Sequence, residues 1–70
     1  MKTYDLIIRT KKNKRLQSVI AAEDYEAAKE KIEIVLSENT FVICSSEKDD
    51  YVFLAVSEIG YITLKNNPEN

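Results

Sequence analysis

One amphipathic helix, from Asp24 to Asn39, has to serve a chain whose other apolar segments all read as strands. Tyr25, Ala28, Ile32, Val35 and Leu36 recur at spacings of three, four, three and one, which gathers them on one stripe of a 3.6-residue helix. Glu26, Lys29, Glu30, Glu33 and Ser37 fall away from that stripe, and Ile34 points opposite to it beside Ala27. Asp24 is placed to be the N-cap, and Glu26 sits in the first turn, where the positive end of the macrodipole favours a carboxylate. Asn39 is expected to end the helix as its left-handed residue. A helix of this length covers one face of a small sheet, so something else has to cover the other.

Ahead of the helix, Tyr4, Leu6 and Ile8 alternate with Asp5, Ile7 and Arg9, then Leu16, Ser18 and Ile20 alternate with Gln17, Val19 and Ala21. This is the period of two that marks paired strands. An odd loop of Lys12, Asn13 and Lys14 would set Leu6 opposite Ile20 and Ile7 opposite Val19, with Asn13 able to take a positive φ. After the helix, Thr40 to Ser45 is apolar on both faces and reads as a central strand. The polar run Ser45 to Asp50 reads as a turn, Tyr51 to Val56 as another strand apolar on both faces, and Ile59 to Leu64 as a last strand. Gly60 within it predicts a bulge or a close backbone approach. The expected architecture is an α+β fold of order β-β-α-β-β-β, a small, mostly antiparallel sheet with one helix packed on one face. It forms a single domain over residues 1–65, followed by a disordered C-terminal tail over 66–70.

A domain of 70 residues buries only about 60% of the surface its unfolded chain exposes, so its stability is marginal without some addition. A disulfide within the chain is excluded, because Cys44 is the only cysteine, and its apolar neighbours make it a small buried hydrophobe in a reducing compartment. The sequence opens on no charged segment followed by an apolar one, and it has no run of about 18 apolar residues. A cytoplasmic location with no membrane association is expected. Helix openings of the form Ala22 to Ala27 after a hairpin occur in many unrelated small α+β domains and point to no family. The chain's size, its lack of a catalytic set and its Lys, Ile and Asn usage resemble small accessory proteins of phages and mobile elements from low-GC bacteria.

The chemistry on offer is sparse. There is no histidine, which removes the commonest metal ligand and the commonest general base. Cys44, Ser45 and Ser46 have no base beyond Lys48, and a single glycine cannot build a phosphate loop. Glu47, Asp49 and Asp50 lie close in sequence but lack the alternating ligands and the glycine of a calcium loop, so they read as a solvated turn. No enzyme, no cofactor and no metal site is expected.

Two features point outward. On the far side of the sheet would lie Ile7 and Val19, one member of each apolar pair in the third and fourth strands, and either Tyr61 or Ile62. Monomers rarely leave so much apolar surface open, since each Å² removed from water is worth about 25 cal/mol. Three arrangements would cover it: a sheet curled around its own core, a second copy packed sheet on sheet, or edge strands paired between copies. A homo-oligomer is expected, with Ile7, Val19 and Ile34 as self-association residues. The second feature is the run Arg9, Lys11, Lys12, Lys14 and Arg15, whose five charges leave the other five basic residues against twelve acidic ones, a net of minus seven. These five are the candidate contacts for a protein partner or for phosphate. Two function classes follow: a small non-catalytic homo-oligomeric regulator, such as a phage-encoded modulator of a host protein, or a nucleic-acid-binding regulator. Sequestration of a small anionic ligand between subunits is a third reading.

Overall fold

The computed structural model describes residues 1–46, 48 and 50–66. Five strands form one antiparallel sheet: β1 (Lys2–Thr10), β2 (Arg15–Ala22), β3 (Phe41–Ser45), β4 (Tyr51–Ala55) and β5 (Ile59–Asn66), in the spatial order β4-β3-β2-β1-β5. Among the described residues one α-helix, α1 (Tyr25–Glu38), joins β2 to β3. β5 runs to Asn66, which pairs with Tyr4, so the strand takes the first residue of the expected tail. Residues 67–70 lie outside the described residues.

The β1–β2 hairpin has an odd loop, but not the expected one. Lys11, Lys12 and Asn13 make the turn: the Asn13 N–H donates to the Thr10 carbonyl at 2.9 Å and Asn13 takes φ 64°. The Thr10 N–H donates to the Lys14 carbonyl at 3.0 Å, and the Lys14 N–H donates to the Thr10 hydroxyl at 3.0 Å. That closure sets Leu6 opposite Ser18 and Ile7 opposite Gln17, one pair away from the register read in the sequence. Even residues still face even ones, so every side chain keeps its expected side of the sheet.

β4 and β5 are opposite edges of the sheet, yet a single 3-10 turn, Val56–Glu58, connects them. Strands sit about 4.8 Å apart, so four intervals across a flat sheet amount to about 19 Å. Three residues rising about 2 Å each span only about 6 Å. The sheet therefore rolls its edges toward one another, and the inner face encloses Ile8, Leu16, Cys44 and Leu54, with Val42, Val52, Ile59 and Ile62 against them. All five strands contribute to that cluster. At the bulge between Arg9 and Thr10, β5 skips Gly60, and a Cβ there would meet the Arg9 carbonyl oxygen at 3.0 Å. Both structural expectations for this glycine are realised together.

The helix lies over the inner face. Tyr4, Ala22 and Ala28 form a second buried cluster, joined by Ala27, Ile20 and Leu64. Ala27 thus belongs to the packed side of the helix, against its expected place beside Ile34, because the helix seats its N-terminal turns on small residues. The Asp24 carboxylate caps the helix by accepting from the Ala27 N–H at 2.8 Å. Asn39 is extended, with φ −109° and ψ 148°, rather than left-handed. Its N–H donates to the Val35 carbonyl at 3.0 Å, and the extended backbone leads directly into β3 two residues later.

Candidate functional site

Rolling the sheet buries its even-numbered face and leaves the odd-numbered face outside. Cross-strand register then writes this outer surface as rows. One row is Thr63, Ile7, Gln17, Ser45 and Tyr51, running across all five strands. The next places Lys65, Asp5 and Val19 side by side, with Ile43 opposite Phe53 beyond them. Val19 is 62% exposed, Ile43 58%, Phe53 68% and Tyr51 80%, while Phe41 and Tyr61 are also open on this face. The expected strand pairs apolar on both faces therefore bury one member and expose the other. β3 lies inside the sheet, but β4, equally apolar, is an edge.

Of the three expected self-association residues, the structure brings two together. Ile7, half-buried, and Val19 share the outer sheet face as diagonal neighbours rather than direct partners. Ile34 is exposed on the helix and belongs to a different surface. Phe41, Ile43, Tyr51 and Phe53 were legible as strand members, but their side could not be fixed until strand order was known.

β2 and β3 are joined by the one bridge Gln17–Ser45, and beyond it they diverge. Side chains take up the exposed polar groups there: the Ser18 hydroxyl donates to the Ile43 carbonyl at 3.2 Å and the Lys31 ammonium to the Ala21 carbonyl at 2.6 Å. The divergence opens a groove of about 600 Å³ on the outer face, with Ile7, Val19 and Ile43 on its floor, Tyr51 on its rim, and Arg15, Asp5 and Lys65 around it. Beneath the helix the same seam leaves a space of about 260 Å³ among Leu6, Ile20, Ile32, Val35 and Leu36.

The five cations of the hairpin do not form one patch. Arg9 and Arg15 face each other across β1 and β2 on the outer face. Lys12 and Lys14 lie at the inner-face end of the rolled sheet beside Thr10, Ser46 and Glu58. Lys11 is on the turn, and its N–H donates to the Glu58 carbonyl at 2.9 Å. The Arg9 guanidinium donates to the Asn13 carbonyl at 3.3 Å.

Cys44 is buried, and burial raises its thiol pKa above the ordinary value of 9.0. Its S–H donates to the Val52 carbonyl at 3.6 Å. Among the described residues no group of His, Cys, Asp and Glu side chains is arranged to hold a metal. Glu47 and Asp49 of the acidic turn lie outside the described residues. No helix among the described residues is long and apolar enough to cross a membrane. Comparison with protein-family models, curated proteins and solved structures finds no match.

Proposed function

We propose that this protein is a non-catalytic interaction module that works as a homo-oligomer, its outer sheet face being the surface of self-association. The observation that carries this is the gathering of Val19, Phe41, Ile43, Tyr51 and Phe53 on one open face while seven apolar side chains make up the buried core. Rolling the sheet covers its inner face only, so the outer one still needs a partner. A standard interface takes about 800 Å² from each partner, about one-sixth of the 5121 Å² surface of this chain. Second copies suit the face because its exposed aromatic and aliphatic side chains lie together on β3, β4 and Val19, while its charges, Asp5, Arg9, Arg15 and Lys65, lie on β1, β2 and β5.

The hairpin cations then steer a further protein partner, an acidic one, toward the end of the oligomer. Their division between two faces supports this reading over a nucleic-acid groove, which needs cations aligned along one path. Such a module acts by occupying a partner, as a regulator does. Light scattering behind a sizing column tests the oligomer: the wild type is expected at a multiple of 8.0 kDa, and Val19→Glu at the monomer mass. A wild type at 8.0 kDa over the whole concentration range would end the proposal.

A further inference from the structure

We propose that the outer-face groove is a binding site for a small organic anion with a planar ring, its phosphate or carboxylate on Arg15 and its ring on Val19 and Ile43. The groove's volume of about 600 Å³ falls within the range of about 300–1,000 Å³ typical of small-molecule sites. Its lining is mixed, with the apolar Ile7, Val19 and Ile43, one aromatic ring and six polar or charged side chains, so the polar groups have a large part in choosing the ligand.

The charges choose the ligand. Arg15 stands directly opposite Arg9, and like charges at that spacing repel unless an anion lies between or above them. Among the described lining residues Asp5 is the one carboxylate. At the other end of the groove Lys65 is directly opposite Asp5, so those two charges balance. Among the described lining residues the cation with no carboxylate opposite it is therefore Arg15, and a guanidinium offers a planar fork that matches phosphate or carboxylate with two parallel hydrogen bonds.

The floor chooses the body. Val19 and Ile43 come from neighbouring strands and form a broad apolar surface rather than a channel, which suits a flat ring lying across the seam. Tyr51, open at the rim, can pack against that ring in an offset or edge-on arrangement. Gln17 and Ser45, whose row lies between Arg15 and Val19, offer hydrogen-bonding groups to the link between ring and anion. The groove is complete within one chain, and a second copy on the same face would bury Val19 and Ile43 in the ligand's place, so ligand and second copy compete and the two readings fail separately.

Isothermal titration of the full chain with adenosine 5′-monophosphate and with benzoate tests the site, with adenosine and inorganic phosphate as the two halves of the first ligand. At least one of the two ring-bearing anions is expected to bind, and which of them does tells phosphate from carboxylate. The bound anion should lose at least tenfold in affinity with Arg15→Gln, as expected for a charge-assisted pair, and all detectable binding with Val19→Glu. Both positions are exposed, so the variants should keep the circular dichroism of the wild type. The site is overturned if neither anion binds below about 10 mM, if adenosine or inorganic phosphate alone binds as tightly as the nucleotide, or if Arg15→Gln changes nothing. A monomer by light scattering that still binds keeps the site and ends the self-association.

Discussion

Single residues hold the two places where the backbone is most constrained. At Gly60 any side chain would press on the carbonyl oxygens of Arg9 and Thr10, at 3.0 and 3.3 Å. Backbone cannot yield there as a flexible side chain would, so Gly60→Ala should cost about 1–3 kcal/mol in urea unfolding. A change of a few tenths would mean that the bulge has slack. Cys44 makes a pH prediction. Its buried thiol is held neutral by desolvation, so its folded pKa lies above the unfolded value. The unfolded chain forms thiolate first as pH rises, and the contribution to stability is complete below 9.0, then falls away toward the higher folded value. Thermal melts should therefore drop more steeply above pH 9.0 for the wild type than for Cys44→Ala. Parallel curves would show a thiol that titrates normally in the fold.

At the scale of elements, the helix was the most legible part of the sequence and the hairpin register the least. Ala28, Ile32, Val35 and Leu36 of the stripe and the outward Ile34 lie where periodicity puts them, because a helix is determined by residues three and four apart. Tyr25 in the first turn stays exposed, and Asp24 caps as its side chain suggests. Asp24→Ala should remove the one side-chain acceptor at the helix start and cost about 1 kcal/mol; an unchanged unfolding midpoint would mean that packing alone sets the N-terminus. The hairpin is different. Period-two patterning is satisfied equally by registers two residues apart, so the choice fell to the Thr10 hydroxyl and the positive φ of Asn13. Asn39 shows the same limit at the helix end: a residue suited to the left-handed region is extended because β3 starts two residues later. Within the candidate site, Ile7 and Val19 could be given a side because the polar Asp5, Arg9 and Gln17 share their alternate positions. Ile43 and Phe53 were not, since strands apolar on both sides do not declare which side is buried.

For the molecule as a whole, strand order decides what the sequence left open. A three-residue connection between opposite edges rolls the sheet and commits the even-numbered side chains to the core. What remains outside is a face with exposed apolar side chains and a groove at the β2–β3 seam, with Arg15 in its lining. In the proposed oligomer a second copy covers this face. Methyl NMR across a dilution series addresses it most directly. The Ile7, Val19 and Ile43 methyl signals should shift or broaden as concentration rises, while those of Ile8, Leu16 and Leu54, enclosed by the rolled sheet, stay fixed. Outer-face methyls that ignore concentration, or core methyls that move with them, would contradict the account.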